Sequence, residues 1–212
     1  MSEIKYGLIS KVDGNVLERV ADLIGEQFPN KSIEFTEVGV YSGLTGNAIT
    51  KYFTSKRIAS WWVGVDNFRD GEPMIFTPDV LIEGNSNEVY NQIKDNSQHL
   101  IFIDALHTFP AVVADFFCYA PKVKVGGYLA FHDSGKHLDP LSGWQGVGDK
   151  NDPDFCLGGV RRALNRVGLL YDNDPVIGAV IKDNKLSQWQ LIFDEADPED
   201  AGGGITVFKK LY

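Results

Sequence analysis

The stretch from Ile33 to Gly46 constrains the fold of this chain more than any other. Its first part, Ile33 to Val38, is a short apolar and β-branched run, which predicts a buried strand. Glycines follow at positions 39, 43 and 46, and apolar residues then recur at helical spacing over residues 47–53. A strand, a glycine turn and a helix predict the first half of a βαβ unit. The glycines let the turn bend sharply and let a ligand approach, while the helix directs its free N–H groups at that ligand.

The spacing of these glycines indicates which ligand the turn would hold. Dinucleotide-binding turns usually read G-x-G-x-x-G, whereas this chain has Glu37, Gly39 and Gly43 as E-x-G-x-x-x-G. A pyrophosphate disfavours a neighbouring carboxylate, but a positively charged sulfonium cofactor with an amino group suits one. The pattern resembles the first motif of class I S-adenosylmethionine-dependent methyltransferases. That resemblance implies that Glu37, Gly39 and Gly43 hold the methionine part of the cofactor. It also implies that the intervening turn residues bind the cofactor, namely Val40, Tyr41 and Ser42. An ordinary strand-to-helix glycine turn remains the alternative.

Two further strand ends predict contacts to the rest of an adenosine cofactor. The second predicted strand ends in Asp66, and an acidic residue there can accept hydrogen bonds from both ribose hydroxyls. The third predicted strand is followed by Gly84, Asn85 and Ser86, which the family resemblance places at the adenine edge. The alternatives are a turn aspartate at position 66 and simple helix capping at positions 85 and 86.

Four polar residues follow the fourth and fifth predicted strands. Asp104 ends the fourth strand with His107 three residues beyond, and His132 and Asp133 end the fifth. The ends of neighbouring parallel strands face one crevice, where α/β sheets bind ligands. Carboxylates and imidazoles suit Mg²⁺ or Mn²⁺ and, less selectively, Fe²⁺ or Zn²⁺. A divalent cation could lower the pKa of a substrate hydroxyl, and His107 could act as the general base.

The motifs around these four residues resemble a particular methyltransferase subfamily. Ile-Asp-Ala-Leu-His at 103–107, then a helix, then Gly-Gly-Tyr-Leu-Ala-Phe-His-Asp at 126–133 are similar to macrocin, macrolide and cephalosporin-type O-methyltransferases. The resemblance implies that Asp104 and Asp133 hold Mg²⁺, with His132 as a further ligand, and that Asp104 and His107 are the catalytic residues. His132 departs from the family, which often has a carboxylate there, and neutral imidazole is a poorer Mg²⁺ ligand. The presence and identity of the metal therefore stay open, as does a purely capping role for the strand-end carboxylates.

The resemblance implies an α/β fold, the Rossmann-like methyltransferase fold. We expect a seven-stranded, mostly parallel sheet with helices on both faces and an antiparallel closing strand. The absence of a composition break predicts one domain over residues 1–212, with residues 1–30 as a helical lead-in. That lead-in contains an amphipathic helix from about Asp13 to Phe28, capped by Asp13 or Asn15. A later helix, near residues 157–167, would turn Arg161, Arg162 and Arg166 to solvent. The long loop 134–156 would shape the substrate pocket.

Composition limits the partners that this chain can have. A net charge of −9 over 212 residues argues against nonspecific binding to nucleic acid or anionic membranes. Two cysteines without a C-x-x-C motif indicate free thiols in a reducing compartment. The N-terminus lacks an apolar signal core, and no apolar run reaches membrane-spanning length. We therefore expect a cytoplasmic protein that acts on a small molecule without nucleic acid or membrane partners. A homo-oligomer remains an option.

The sequence thus predicts methyl transfer from S-adenosylmethionine to a hydroxyl of a small molecule. A divalent cation, Mg²⁺ or another, would assist if bound, and a histidine would serve as base. A nicotinamide-dependent oxidoreductase is one alternative, but Glu37 and the wide glycine spacing speak against it. A catalytically degenerate domain that binds a nucleotide or a protein is the other, and His132 is the feature that favours it.

Overall fold

The computed structural model describes residues 9–68, 71, 73–135, 159–170, 180–182, 188–196 and 203–212. Most of the predicted substrate loop and Cys156 lie outside these ranges. The described elements follow one another as helix α1 Lys11–Gln27, strand β1 Ile33–Val38, α2 Leu44–Ser55, β2 Ser60–Asp66, β3 Val80–Glu83, α3 Ser86–Val89, β4 Gln98–Ile103, α4 Phe109–Tyr119, β5 Val123–Phe131, α5 Gly159–Arg166, β6 Val180–Lys182, β7 Gln188–Glu195 and β8 Ile205–Lys210.

The described strands form one mixed sheet in the order β3-β2-β1-β4-β5-β8-β7-β6. Neighbours from β3 to β5 are parallel, whereas β5–β8, β8–β7 and β7–β6 are antiparallel. The predicted fold class is confirmed, although the sheet has eight strands rather than seven because the three-residue β6 adds an edge. Strand order reverses between β1 and β4, so their carboxyl ends border the crevice in which such sheets bind ligands.

Helices cover both faces of this sheet. On one face, α1 and α2 bury apolar side chains such as Val20 and Phe53 against Phe35 and Phe102 of the strands. On the other face, α4 and α5 pack against residues such as Ile101, Leu129 and Phe131. Because β4 and β5 are covered on both sides, their last four residues, 100–103 and 128–131, are continuously apolar rather than alternating. None of the helices within the described ranges has the length and apolarity to cross a membrane.

Helix α1 begins earlier than the sequence pattern predicts. Its N-cap is Ser10, not Asp13 or Asn15, and the Ser10 hydroxyl accepts a hydrogen bond from the Asp13 backbone N–H at 3.1 Å. The Asp13 carboxylate accepts in return from the Ser10 backbone N–H and hydroxyl, which makes a capping box. Asp13 is therefore the third residue of the helix, and its side chain is fully buried.

The prediction that Arg161 faces solvent is wrong. Its side chain is 1% exposed, and the guanidinium makes two hydrogen bonds to the Asp194 carboxylate, at 2.9 and 3.1 Å. It also donates to the Ser134 carbonyl at 2.8 Å, which ties α5 to the end of β5. Arg162 and Arg166 are exposed, as predicted.

Candidate active site

The glycine turn after β1 is built on close backbone contacts. Gly39 and Gly43 have φ angles of +89° and +78°, the left-handed region that favours glycine. A Cβ at Gly43 would lie 2.0 Å from the carbonyl oxygen of Phe76, so a side chain would also clash there. Helix α2 starts at Leu44, three residues before the predicted Asn47, with no side-chain cap. The Glu37 carboxylate lies beneath this first turn and accepts from the Gly46 backbone N–H.

Asp66 joins the tip of β2 to this turn. One carboxylate oxygen accepts from the Tyr41 backbone N–H at 2.7 Å, and the other accepts from that of Phe68 at 2.6 Å. Each carboxylate oxygen can accept a second hydrogen bond. The geometry thus leaves Asp66 able to bind two further hydroxyl donors while the backbone holds it in place.

The segment after β3 contacts a carboxylate of α4, Asp115, that the sequence reasoning missed. Asn85 is the N-cap of the single-turn helix α3, but its side chain makes no capping bond and instead accepts from Asn67 at 3.0 Å. The Ser86 hydroxyl donates to Asp115 at 2.5 Å. Burial raises the pKa of Asp115 to about 6. The signal in the sequence was a single acidic residue within the apolar face of α4, which buries it beside the cleft.

Glu37 lies buried beneath the glycine turn. Its side chain is 1% exposed, and within the described ranges its Oε2 has no hydrogen-bond partner. Burial, with the charges of Asp104 and Asp66, raises the pKa of Glu37 well above its usual value. A positively charged ligand beside the turn would favour the ionised form.

Asp104, His107, His132 and Asp133 meet at the ends of β4 and β5. His107 Nε2 lies 2.9 Å from Asp133 Oδ2 and 3.3 Å from Asp104 Oδ1. His132 Nδ1 lies 3.3 Å from the same two carboxylate oxygens. Asp133 has a φ of +51°, and its other oxygen accepts from the Gly203 backbone N–H at 2.7 Å. The turn before β8 therefore helps to hold Asp133 in place.

The pKa values of these four residues depend on one another, because the two carboxylates lie against the two imidazoles. Burial opposes ionisation of Asp104, but the charge of His132 and the hydrogen bond from His107 hold its pKa at about 2. The pKa of Asp133 is likewise lowered, against the effect of burial, by hydrogen bonds from both histidines. Burial lowers the pKa of His107, but hydrogen bonds to Asp104 and Asp133 outweigh it and raise the value to about 10. His107 is therefore protonated at neutral pH and can accept a proton only after the adjacent negative charge is neutralised.

A fifth residue of this cluster, Asp13, was read from sequence only as a helix cap. Its Oδ2 lies 3.2 Å from His132 Nε2. Burial lowers the pKa of His132, but the charge of Asp104 and the close contacts to Asp13 and Asp133 raise it well above its usual value. The two residues are 119 positions apart, and no sequence pattern connects them.

The predicted residues surround one cleft of about 980 Å³. Every predicted site residue except Gly43 lines it, and Asp115 and Gly203 line it as well. The volume suits a nucleoside-sized cofactor with room for a small second molecule. In the part of the chain that the structure describes, ligand atoms of Asp104, His107 and Asp133 lie within 4.8 Å of one another, a spacing that fits a metal ion. The buried Nδ1 of His132 faces the same carboxylate oxygens, and it makes no hydrogen bond within the described residues.

Comparisons with known proteins agree with this geometry. Residues 36–134 match a family model described as a methyltransferase domain. The O-methyltransferase TomG of tomaymycin synthesis from Streptomyces achromogenes, solved with S-adenosylmethionine, has a TM-score of 0.58 and 13% identity, with 99% of this chain and 83% of that one covered. A protein from Corynebacterium glutamicum has a TM-score of 0.55 and 16% identity, with 96% and 84% covered. At these identities the likeness shows the shared fold. No curated protein gives a significant match.

Proposed function

We propose that this chain, whose residues 36–134 match a methyltransferase-domain family model, moves the methyl group of S-adenosylmethionine to a hydroxyl of a small molecule. The family match confirms the predicted class I methyltransferase and does not favour the nicotinamide-dependent oxidoreductase. The observation that carries the proposal is the meeting of a glycine turn, Asp66 and the cluster Asp104, His107 and Asp133 in one cleft.

The cofactor would lie along the carboxyl ends of β1, β2 and β3. Glu37 and the turn from Gly39 to Gly43 would hold its methionine part, where Oε2 of the buried Glu37 has no hydrogen-bond partner among the described residues. Asp66 would bind the ribose hydroxyls with its remaining acceptor positions. Asn85 and Ser86 would border the adenine. Together these contacts would place the methyl group near the ends of β4 and β5.

The acceptor would bind beside the four-residue cluster. Asp104, Asp133 and His132 have donor atoms of the types that divalent cations take, and His132 Nδ1 is close enough to the two carboxylate oxygens to share one ion with them. A bound cation would polarise the acceptor hydroxyl and lower its pKa. His107 would take the hydroxyl proton, and the surrounding residues would hold donor and acceptor in line. An O-methyltransferase among the structures of the same fold is compatible with a hydroxyl acceptor.

Calorimetric titration tests the cofactor half of this proposal. S-adenosylhomocysteine should bind the wild-type protein, NAD⁺ should not, and Mg²⁺ or Mn²⁺ should change the heat of a second titration. Binding of NAD⁺ in place of S-adenosylhomocysteine would contradict the assignment of the glycine turn. Binding of neither would favour a degenerate domain.

Methyl transfer to a panel of catechols, sugars and other small alcohols tests the catalytic half. Asp104→Ala and His107→Ala should each lower the rate at least about 100-fold, the usual effect of losing a general base or charge stabilisation. Asp79→Asn, whose side chain caps the Trp62 backbone N–H outside the cleft, is the control. If both alanine variants kept wild-type rates, the site assignment would be wrong.

A further inference from the structure

The imidazole of His132 lies between aspartate carboxylates on both sides. On one side its Nε2 faces Asp13 at 3.2 Å, and on the other its Nδ1 faces Asp104 and Asp133 at 3.3 Å. His132 is 6% exposed and Asp13 is fully buried, so water does not compete for these contacts. The imidazole ring is therefore fixed by protein groups alone within the described ranges.

The carboxylate of Asp13 can only accept hydrogen bonds when ionised. It accepts from the Ser10 backbone N–H and hydroxyl, and its other partner among the described residues is His132. The geometry thus places the N–H of His132 on Nε2, and it directs Nδ1 at the two aspartates. Carboxylates that accept from the far nitrogen of a ligating histidine fix its tautomer and orientation in metal sites.

The spacing around Nδ1 suits a shared ion. Two atoms that bind one small divalent cation at about 2.1 Å and at right angles lie about 3 Å apart. His132 Nδ1 lies 3.3 Å from each of the two aspartate oxygens, and it makes no hydrogen bond within the described part of the chain. A cation that takes up the charge of the two carboxylates would displace the proton from this nitrogen and bind Nδ1 in its place.

We propose that Asp13 is a positioning residue that makes His132 a cation ligand, so that helix α1 forms part of the site. This inference rests on the proposed function, because it concerns the same cluster. The resulting donor set of two carboxylates and imidazole nitrogen favours Mn²⁺ over Mg²⁺. The cation site would then survive the replacement of a carboxylate by imidazole at position 132. The Asp13 carboxylate, which faces Nε2 on the other side of the ring, would supply the missing negative charge.

The test is a titration of the whole chain with Mn²⁺ in the absence of any methyl acceptor. Electron paramagnetic resonance measures how much Mn²⁺ is bound. Asp13→Ala should weaken Mn²⁺ binding 10- to 100-fold, the usual effect of removing such a partner. Asp13→Asn keeps an acceptor oxygen and should lose less Mn²⁺ affinity than Asp13→Ala. Ser10→Ala is the matched control, because it breaks the same capping box but leaves the Asp13 carboxylate beside His132.

A double-mutant cycle separates positioning from a general effect on structure. In a His132→Ala background, Asp13→Ala should weaken Mn²⁺ binding by less than about 2-fold, because the residue that it positions is gone. Equal losses in both backgrounds would overturn the proposal, as would wild-type protein that binds no Mn²⁺. S-adenosylhomocysteine is titrated into every variant: its binding should not change, and its failure to bind wild-type protein would count against the proposed function instead.

Discussion

The backbone of Gly39 lies directly against that of Asp104. A Cβ added at Gly39 would lie 1.9 Å from the Asp104 carbonyl oxygen, and the Asp104 N–H donates to the Val38 carbonyl at 2.8 Å. The turn proposed to hold the cofactor and the cluster proposed to activate the acceptor therefore share a backbone contact. Movement of either would move the other.

Gly39→Ala tests this contact. The new methyl group would clash with backbone that cannot rotate away, and the φ of +89° adds strain. We expect a loss of about 2–4 kcal/mol in the free energy of unfolding and at least a 10-fold loss of S-adenosylhomocysteine affinity. Urea unfolding and calorimetry measure the two effects.

Gly71→Ala is the matched control for that variant. Gly71 also has a positive φ, +69°, but a Cβ there would meet no atom of the described residues within 4 Å. It should cost only the strain of the left-handed backbone, about 1–2 kcal/mol. If the two variants lost equal stability and equal affinity, the contact between Gly39 and Asp104 would have no special role.

Asp66→Asn tests the proposed ribose contact. The amide keeps the shape of the side chain but loses the charge and one acceptor, and hydrogen bonds to charged groups contribute about 1.5–3 kcal/mol. We expect S-adenosylhomocysteine to bind about 10- to 100-fold more weakly by calorimetry. Asp79→Asn changes a similar contact to a backbone N–H outside the cleft and should leave the affinity unchanged. Equal affinities for all three proteins would remove Asp66 from the cofactor site.

Local patterns predicted the parallel half of the sheet well. Strand β1 has the predicted bounds, because an apolar and β-branched run bounded by turn residues specifies a buried strand without reference to the rest of the chain. The residues grouped by the rule that parallel strand ends share a crevice do line one cleft, although their roles remain proposals.

Features set by distant partners could not be predicted in this way. The pairing of Asp13 with His132 and of Arg161 with Asp194 depends on which elements the fold brings together. A charged residue near the edge of an apolar helical face has the same local pattern whether it meets solvent or a buried carboxylate. The start of α1 was missed because both Ser10 and Asp13 are good capping residues, and the capping box uses both.

The buried pair of Arg161 and Asp194 predicts a strong effect on stability. Arg161→Met would leave Asp194, whose side chain is 6% exposed, without its cation, and we expect a loss of about 3–5 kcal/mol in the free energy of unfolding. Adding Asp194→Asn should recover part of it, because the uncompensated charge is gone. Urea unfolding of the two single variants and the double variant gives the coupling energy.

Arg166→Met is the control for this series, because Arg166 lies on the same helix but is exposed. It should change stability by less than about 0.5 kcal/mol. Additive effects of Arg161→Met and Asp194→Asn would show that the two side chains do not stabilise each other.

Asp115 predicts a dependence of stability on pH. Burial raises its pKa in the folded state to about 6, above the value near 3.8 expected when unfolded. Between these values the folded protein binds more protons, so this group lowers stability as pH rises from 4 to 6 and has no further effect above that. Asp115→Asn keeps an acceptor for the Ser86 hydroxyl but does not ionise. Its stability relative to wild type should therefore rise by on the order of 2 kcal/mol between pH 4 and pH 7.

Urea unfolding at the two pH values measures this difference. Asp95→Asn is the control, because the Asp95 side chain is 68% exposed, and its stability relative to wild type should change much less. A constant difference between Asp115→Asn and wild type at both pH values would mean that Asp115 ionises in the folded protein as it does in the unfolded chain. In that case the carboxylate beside Ser86 would be charged at pH 5, and it would present a negative charge to the adenine end of the cleft.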